Sequence, residues 1–508
     1  MKKMIVKHMW FAAFMSLASL NGSAQPFAGK TIRIALDEQG HVLTVENSSL
    51  AAGSKVMTWS ETHVPAQRWQ VEKTQDEEGI ALRNAYTGLY LHSSLTQSPT
   101  KGIWVMEPVA SKPHTFTLRP KEHPNMFLTA APGNRDGVQL ALAGEDYKVP
   151  TCRIQWRVTE DASIPTGLTP AVRDEMMNCW KRQYYRPAQV GHIIGKGGWW
   201  EDAEMMEIVV DALETTGDTC YASMFDELFR NFCHRNGTDW RKNNYNDDIA
   251  WMCIACTRAY LLTGRKEYLR TAKANFDLMY ARADKHGDHT LIWCMGQPTT
   301  NSCINGPAAV AACYLAQATG NNAYYHKAKA TYMGERAILY NIADGHFNGQ
   351  VYDCYDPHTR KIANHWSSTY NQGTCLGAAC MLYAHFGDSL FRQDADALME
   401  WTASHLTDGH GIINVCQTVR GDLTGFKGIL MRYVRNYAVL TGQTKWLQWM
   451  AANAWHAYNN RNAKGVSMSA WVTKTPDTFC FSAGGDFRND GVGAMTCISA
   501  AFNAMPRP

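Results

Sequence analysis

Long apolar runs and net charge are both scarce in this sequence. After residue 24, no uninterrupted apolar run reaches the roughly 18 residues that a membrane-crossing helix needs, so we expect no membrane span. Without the lysines of the first 24 residues, 46 basic residues stand against 46 acidic ones. This balance offers no electrostatic footprint for nucleic acid or an acidic membrane, and it favours a neutral partner.

Several catalytic and metal-binding patterns are also missing. The 18 histidines form no His-x-x-Glu-His-like or clustered pattern, no Ser-His-Asp signature stands out, and no glycine-rich phosphate loop occurs. Cys253 and Cys256 have the spacing of half a zinc site, but no second ligand pair accompanies them. We therefore expect no metal and no cofactor, and peptidase or esterase chemistry has no support.

The first 24 residues have the pattern of a secretory signal peptide. Three lysines give the basic start, residues 9–20 form the apolar core, and small residues precede the expected cleavage site after Ala24. No cysteine follows the core to accept a lipid, so a lipoprotein anchor is not expected. We expect an exported monomer, either periplasmic or extracellular.

All 15 cysteines lie at or after Cys152, many of them in apolar helical contexts such as Cys313 and Cys375. Most are predicted to be small core side chains. Export would permit disulfides, and the odd count leaves at least one thiol free or in an intermolecular bond. The pairing stays open at this point.

Residues 25–160 are predicted to form an all-β domain. Short β-branched and aromatic segments alternate with turn residues, and no long pattern of helical period occurs. Related segments recur at residues 67–71, 114–118 and 154–158. Three units of this length predict a β-trefoil.

The Gln-x-Trp signature at Gln67 and Trp69 resembles ricin-type lectin domains, and the resemblance covers this whole segment. In that family, an acidic residue after the second strand of a unit and a later aromatic residue hold the sugar. By position, Glu46 and Trp59 would take those roles. The other two units carry neutral or basic residues at the acidic place, so the resemblance implies one pocket at most. A domain that only packs is the alternative.

Residues 161–172 are predicted to link two domains, because residues 162–167 are rich in proline, glycine and serine. From 173 to 508 amphipathic helical runs recur, and five of them close on a glycine suited to a helix C-cap. These glycines are Gly217, Gly264, Gly320, Gly387 and Gly442. With a sixth apolar segment at 491–504, they predict about six helical hairpins. We expect an all-α (α/α)6 toroid with a central cleft, and a solenoid of the same hairpins is the alternative.

The adjacent acids Asp247 and Asp248 are the main candidates for chemistry. A polar run ends at this pair and an apolar helical pattern begins, so both acids should lie at a helix N-terminus, which favours ionised carboxylates. Glycoside hydrolysis needs two carboxylates of opposite protonation state. Tyr245 and Trp251 flank the acids with aromatic faces suited to sugar rings. Simple helix capping is the alternative explanation of the pair.

Six short blocks carry a second resemblance. They are Trp-Trp at 199–200, Asn-Asp-Asp-x-Ala-Trp at 246–251, Asn-Ser-x-x-Asn-Gly at 301–306, Val-Tyr-Asp at 351–353, Thr-Tyr-Asn-Gln-Gly at 369–373 and Phe-Lys-Gly-Ile at 426–429. By these blocks and their order, residues 175–505 resemble glycoside hydrolase family 76, the endo-α-1,6-mannanases and their relatives.

That resemblance implies a retaining mechanism. Carried over by position, Asp247 attacks the anomeric carbon, while Asp248 protonates the departing oxygen and then activates water. Retention requires carboxyl groups about 5 to 5.5 Å apart, which neighbouring residues at a helix start can provide. We expect capping amides to keep Asp247 ionised and its charge to raise the pKa of Asp248.

The resemblance also supplies candidates for sugar binding. The polar candidates are Asn305, Asp353, Tyr370, Asn371 and Gln372, each of which could instead support a neighbour or cap a helix. Trp199, Trp200 and Trp251 could stack on sugar rings, although such side chains are more often buried in packing.

The leading interpretation is a secreted, endo-acting α-1,6-mannosidase that cleaves mannan backbones, such as those of fungal cell walls. A transglycosidase of the same fold would pass the sugar to another sugar instead of water. From another class, a glycan-binding protein without catalysis is the alternative. An enzyme for uronate-containing glycans ranks lowest, because no Lys/Arg cluster accompanies the acids.

Overall fold

The computed structural model describes residues 26–36, 40–75, 79–131, 135–144, 151–185, 198–284, 287, 289–418, 421–479 and 487–507. The predicted signal peptide lies outside these residues. Within them, no helix combines the length and the apolar character needed to cross a membrane.

The N-terminal domain is built from antiparallel strands. They are β1 (Thr31–Leu36), β2 (Val42–Val45), β3 (Val56–Trp59), β4 (Trp69–Lys73), β5 (Ile80–Asn84), β6 (Tyr90–Leu91), β7 (Gln97–Ser98), β8 (Trp104–Pro108), β9 (Thr115–Pro120), β10 (Met126–Ala130), β11 (Val138–Gly144) and β12 (Trp156–Glu160). β1, β4, β5, β8, β9 and β12 pair in a closed cycle and form a six-stranded barrel. The hairpins β2–β3, β6–β7 and β10–β11 complete the domain. The prediction of an all-β domain is confirmed.

One buried tryptophan from each third of this barrel ties a barrel strand to a hairpin. Trp69, Trp104 and Trp156 open β4, β8 and β12, and each side chain is 0% exposed. Their indole Nε1 atoms donate to backbone carbonyls at the equivalent place in each unit: Leu43 at 3.3 Å, Leu91 at 2.9 Å and Leu128 at 3.0 Å. The domain therefore contains three structurally equivalent units.

The sequence placed the second copy of this repeat at residues 114–118, and that prediction was wrong. Thr115–Pro120 is β9, which opens the third unit, and Trp104 holds the place equivalent to Trp69. Gly102 stands two residues before Trp104, where the first unit has Gln67, so the signature is lost from the sequence although the fold keeps it.

Helices dominate the second domain. They are α1 (Pro170–Tyr184), α2 (Trp200–Thr216), α3 (Thr219–Asn236), α4 (Asn246–Thr263), α5 (Lys266–Ala283), α6 (Ser302–Thr319), α7 (Asn322–Leu339), α8 (Thr369–Phe386), α9 (Ser389–His405), α10 (Phe426–Thr441), α11 (Lys445–Asn459) and α12 (Phe487–Ala504). α2, α4, α6, α8, α10 and α12 pack in turn, and α12 returns to α2, which closes a ring. α3, α5, α7, α9 and α11 each pack on the inner helix that precedes them.

The inner helices are apolar on nearly all faces, as the interior of a ring requires. In α4, α6 and α8 nearly every residue of the first three turns is buried, because neighbours cover the helix on all sides. Five inner helices end at the predicted glycines, each in the left-handed conformation, as at Gly217 with φ 68°. The domain is mostly helical, and its ring is consistent with the predicted α/α toroid.

The prediction that this domain is all-α was wrong in one respect, since two connections contain short strands. These are β13 (Ile292–Cys294), β14 (Gln297–Asn301), β15 (Tyr340–Ala343), β16 (His346–Val351), β17 (Cys354–Asp356) and β18 (Lys361–Asn364). β13, β14, β17 and β18 form one sheet, and β15 and β16 form a hairpin. Such strands are too short for an alternating pattern to show in the sequence.

The barrel is fastened to the helical domain at the end of α11 and the connection from α11 to α12. Asn460 Nδ2 donates to the carbonyl of Asn47 at 2.9 Å, and Lys474 Nζ donates to Thr62 Oγ1 at 3.0 Å. On α11 itself, the Tyr86 hydroxyl lies 2.7 Å from His456 Nδ1. Lys474 is 4% exposed and His456 is 3% exposed, so the interface is well covered.

This interface lies near the end of the ring where the inner helices begin. At the start of α12, Val492 and Gly493 lie against Gly425 and Thr424, which immediately precede α10. The connection that holds the barrel leads directly into this end of α12.

Candidate active site

A cavity of about 400 Å³ opens at the N-terminal ends of five inner helices. Its lining residues are Trp200, Asp247, Trp251, Trp293, Asn301, Cys303, Asp353, Cys354, Asn364, Tyr370, Asp422, Phe426 and Ile429. The ring thus brings residues more than 200 positions apart in sequence to one place. Among these described lining residues there are three aspartates and no Lys, Arg or His.

The adjacent acids lie where the sequence predicted. α4 begins at Asn246, so Asp247 and Asp248 are its second and third residues, and Tyr245 precedes it without a capping side-chain bond. Asp247 lines the cavity, and its Oδ1 is buried with no hydrogen-bond partner among the described residues. Asp248 Oδ2 accepts a hydrogen bond from Asn243 Nδ2 at 2.9 Å. Capping alone does not account for this arrangement, because it leaves one oxygen of Asp247 free.

Burial changes the expected electrostatics of the pair. It raises the pKa of Asp247 to about 7, although the Trp293 side chain, the thiol of Cys303 and nearby backbone amides act as donors and oppose the shift. The pKa of Asp248 lies well above its usual range, because of burial first and the charge of Asp247 second. Burial therefore outweighs the capping amides that were expected to keep Asp247 ionised. The expectation that Asp248 holds its proton more tightly agrees with these shifts.

A second polar group lines the same cavity as Asp247. Asp353 Oδ1 accepts from the Tyr370 hydroxyl at 2.7 Å, and its Oδ2 accepts from Asn364 Nδ2 at 3.0 Å. All three side chains line the cavity. Asn371 lies behind them, with Nδ2 3.4 Å from Asp353 Oδ1. The group presents hydroxyl, amide and carboxylate functions of the kind that bind sugar hydroxyls.

Only some of the aromatic candidates line the cavity. Trp200 and Trp251 line the cavity, and the Trp200 ring lies 5.6 Å from that of Phe426. Trp199 instead packs edge-on against Phe232 at 4.9 Å and does not line the cavity. Tyr245 is 45% exposed at the helix start, with its ring 5.4 Å from that of Trp293.

Two polar candidates serve the backbone instead of the cavity. The Asn305 side chain bonds both the N–H and the carbonyl of Leu291, at 2.8 and 3.1 Å, and so ties β13 to α6. Gln372 accepts from the N–H of Val351 at 2.9 Å and donates to the carbonyl of Gly349 at 2.7 Å, which fixes β16 to α8. Both residues are 0% exposed. They position the loops around the site and do not reach the cavity.

Sequence reasoning missed several lining residues. Trp293, Cys303, Cys354, Asn364 and Asp422 all face the cavity. Trp293, Cys354 and Asn364 lie on the short strands that the sequence did not reveal, and Cys303 was grouped with core cysteines. Asn301 could have been found, because it opens one of the six blocks.

The two lectin candidates do not come together in the structure. Glu46 follows β2, and its N–H donates to the carbonyl of Lys55 at the start of the ladder with β3. Trp59 pairs with Val42 at the opposite end of that ladder. The Trp59 ring packs over Gly137, which precedes β11: a Cβ on this glycine would lie 3.4 Å from the ring.

No group of three or more His, Cys, Asp or Glu side chains in the described ranges could hold a metal ion. In the same residues no disulfide occurs, and the cavity cysteines Cys303 and Cys354 are free thiols.

Comparison with known proteins finds a matching family in each of the two domains. Residues 169–496 match Glycosyl hydrolase family 76, and residues 24–102 match the Ricin-type beta-trefoil lectin domain-like family. No curated protein matches the chain.

Solved structures agree with this placement. The chain is similar to the α-1,6-mannanase of Salegentibacter sp. HEL1_6, with 26% identity over 66% of this chain and 99% of that one and a TM-score of 0.57. It is 25% identical, over 66% of this chain and 98% of the other at a TM-score of 0.57, to an inactive variant of that enzyme, with two adjacent aspartates replaced by alanine, in complex with α-1,6-mannotetrose. A family 76 glycoside hydrolase from a bovine Bacteroides thetaiotaomicron strain shares the fold over 93% of each chain, at 16% identity and a TM-score of 0.53. The family match covers well over half of the sequence, and the chain belongs to glycoside hydrolase family 76.

Proposed function

We propose that this protein is a secreted, retaining, endo-acting α-1,6-mannanase that cleaves mannan backbones. The observation that carries the proposal is the free, buried Oδ1 of Asp247 in a cavity beside Asp248. The family membership supports glycoside hydrolysis. The inactive double-aspartate variant of the Salegentibacter enzyme, seen with an α-1,6-linked mannose oligomer, supports both the role of the pair and the substrate.

In the proposed mechanism, Asp247 Oδ1 attacks the anomeric carbon while the glycosidic C–O bond breaks, and Asp248 gives its proton to the departing oxygen. Water then enters, Asp248 takes a proton from it, and the resulting hydroxide oxygen displaces Asp247 from the sugar. Two inversions give net retention. Asp353, Tyr370 and Asn364 bind hydroxyl groups of the sugar at the cleavage point, and Trp200 and Trp251 pack on its ring faces.

The neutral character of mannan suits this cavity. Its described lining carries no cationic side chain, so it has no means to neutralise a uronate or phosphate. Tyr245, exposed beside Trp293, extends the aromatic surface outward from the acids for a further sugar residue.

We further propose that the six-stranded barrel with its three hairpins is a β-trefoil, with the signal peptide directing export as a monomer to the periplasm or beyond the cell. The three equivalent tryptophan hydrogen bonds support the threefold repeat. Because Glu46 and Trp59 lie at opposite ends of their ladder, a sugar site in the first unit would need other residues.

The decisive experiment compares the wild type with Asp247→Asn and Asp248→Asn on linear α-1,6-mannan. The wild type should release short oligosaccharides, and each variant should lose about a thousandfold or more in kcat. Asp422→Asn, which removes a charge from the same cavity, should stay within about tenfold of the wild type. Full activity in either pair variant would overturn the mechanism.

An activated aryl α-1,6-mannobioside separates the two roles. With this leaving group, which needs no protonation, Asp248→Asn should still form the intermediate, and added azide should trap it as the α-mannosyl azide. Asp247→Asn should give no such product. If wild-type protein binds mannotetraose without cleaving it or transferring it, the protein is a glycan-binding protein. If products longer than the substrate dominate, it is a transglycosidase.

A further inference from the structure

A second cavity, of about 430 Å³, lies at the end of the helical ring opposite to the acids. The last two turns of α6, α8 and α10 line it, together with Arg507, which follows α12. The active-site cavity opens at the first turns of these same helices, and the two cavities share no lining residue. The residues that line the second cavity are Gln317, Cys380, Met381, Ala384, Arg435, Asn436, Val439, Leu440 and Arg507.

Arg435 is a buried cation whose hydrogen bonds use only part of its side chain. It is 6% exposed, and its Nη1 donates to the carbonyls of Asn503 at 2.7 Å and Met505 at 2.6 Å. These bonds cap the end of α12, but they leave Nε and Nη2 without an acceptor among the described residues. Helix capping therefore does not account for the whole guanidinium group.

Arg507 adds a second cation to the same cavity. Its Nη2 bonds Glu214 at 2.6 Å, and that carboxylate, which does not line the cavity, also accepts from Arg258 at 2.9 Å. The Nε of Arg507 is buried and has no hydrogen-bond partner in the described part of the chain. Burial first, and the charge of Arg507 second, lower the pKa of Arg435 to about 10, so Arg435 stays charged at neutral pH. The described lining thus carries two cations and no acid.

The rest of the lining is mostly apolar. Met381 and Ala384 come from α8, and Val439 and Leu440 come from α10, where they are 62% and 37% exposed. The volume falls within the range of about 300 to 1,000 Å³ that is typical of small-molecule sites. A guanidinium group pairs with a carboxylate through two parallel hydrogen bonds, and apolar walls bind a hydrocarbon body. Burial beside such walls is more costly for a doubly charged phosphate.

We propose that this cavity is a binding site for a small amphipathic carboxylate, such as a medium-chain fatty acid. Its head group pairs with Arg435 and Arg507, and its hydrocarbon chain lies against Met381, Val439 and Leu440. The carbonyl ends of the three helices oppose an anion here, but their dipoles are only partial charges and the two arginines carry full ones. The site is separate from the acids, and it does not depend on the proposed function.

Calorimetric titration of the full chain at pH 7 tests the site, with sodium octanoate as the probe and octanamide as its neutral analogue. Octanoate should bind at one site per chain. Octanamide should bind at least about tenfold more weakly, because only the carboxylate pairs with both arginines. A lack of saturable octanoate binding, or equal affinity for octanamide, would overturn the proposal.

Variants at the cavity identify the groups that bind the head group. Arg435→Gln and Arg507→Gln should each weaken octanoate binding about ten- to a hundredfold. Because Arg435→Gln also loosens the end of α12, Val439→Glu, which adds a negative charge at the rim, serves beside Arg507→Gln if that variant does not fold. Arg230→Gln is the matched control, since it removes an arginine that is 69% exposed on α3 and pairs with Asp226. Unchanged binding in Arg507→Gln, or an equal loss in Arg230→Gln, would overturn the proposal.

The place of binding can be located directly. A medium-chain carboxylic acid with a diazirine on its chain bonds covalently to adjacent residues on irradiation, and peptide mass spectrometry then finds the label. The label should lie within residues 380–384 and 435–440, and excess octanoate should prevent it. Labelling at the first turns of the inner helices instead would place the acid in the active-site cavity and overturn the proposal.

Discussion

Asp247 and Asp248 experience two opposing influences, since a helix start stabilises ionised carboxylates and burial destabilises them. Burial prevails at both residues: it raises the pKa of Asp247 to about 7 and the pKa of Asp248 well above its usual range. The pair therefore has one charged and one protonated member only above neutral pH. Because the two groups titrate together, the apparent values belong to the pair.

This titration predicts the pH dependence of catalysis. Asp247 must be ionised to attack, so kcat/KM should fall as the pH drops below about 7, and it should fall again at alkaline pH when Asp248 loses its proton. The profile of the wild type on an α-1,6-mannan oligosaccharide measures both limbs, with circular dichroism at each pH to confirm that the protein stays folded. An acid limb near the ordinary value of 3.8 would contradict the burial argument.

The sequence identified part of this site. The predictions that were wrong share one physical cause. Asp247, Asp353 and Tyr370 line the cavity as predicted from the six blocks, whereas Asp248, the next residue of α4, is not among the lining residues. Asn305 comes from the same blocks, yet it is tied up with the backbone of Leu291. A buried amide that binds sugar and one that binds backbone look alike in sequence, because only tertiary contacts distinguish them.

A buried network of charged side chains joins three helices of the inner ring. It lies about one helical turn or more beyond the residues that line the cavity. Arg432 on α10 bonds Glu204 and Asp211 of α2, and Arg258 on α4 bonds Glu207 and Asp211. These side chains are at most 2% exposed. The network fixes the relative positions of α2, α4 and α10, whose first turns carry Trp200, Asp247 and Phe426 into the cavity.

Breaking this network should cost much more than breaking a surface pair. Arg432→Met leaves Glu204 buried without its cation and leaves Asp211 with Arg258 alone, so we expect a loss of about 3 to 5 kcal/mol in the free energy of unfolding. Arg392→Met breaks only the partly exposed pair with Asp396 on α9 and should cost at most about 1 kcal/mol. Urea unfolding at neutral pH measures both. Equal losses would show that the network does not hold the ring together.

Element boundaries with a local cause could be predicted from the sequence, and those with a tertiary cause could not. The five glycine C-caps are local, because only the left-handed backbone at each helix end demands them. The strands β13 to β18 form through pairing between separate loops, so nothing in their own residues reveals them. Trp104 lost its signature for a similar reason: a side chain at Gly102, two places before it, would collide with the backbone of Leu91 and His92, while the hydrogen bond to Leu91 needs only the indole.

Buried polar side chains of the barrel and of the helical domain contact each other at the interface between the two domains. His456 on α11 faces Tyr86 of the barrel, and burial lowers the pKa of His456 from 6.5 to about 4. Lys474 is buried in the same interface, where burial lowers its pKa to about 7. Burial thus disfavours the charged form of both groups.

Acid should therefore weaken the molecule through His456. Between pH 6.5 and about 4 the unfolded chain binds a proton on this histidine and the folded chain does not, so stability falls as the pH falls through that window. The full effect is about 3 kcal/mol. His456→Asn keeps a polar atom near Tyr86 but cannot titrate, so between neutral pH and pH 4 it should lose about 3 kcal/mol less than the wild type.

The control for this comparison is His358→Asn, which alters an exposed turn far from the interface in sequence. Its free energy of unfolding, measured in urea at both pH values, should follow the wild type. If His456→Asn follows the wild type as well, acid acts elsewhere in the molecule.

The attachment of the barrel to the helical domain matters for any polymer that the barrel binds. Asn460 and Lys474, in the described part of the connection between α11 and α12, hold the Asn47 carbonyl and the Thr62 hydroxyl of the barrel through hydrogen bonds, which fasten the barrel to the helical domain. A flexibly tethered binding module lets an enzyme sample many places along a polymer. A rigidly attached module holds the polymer at a fixed distance from the catalytic cavity. Each polymer strand bound by the barrel would then be cleaved at a constant distance from its binding point.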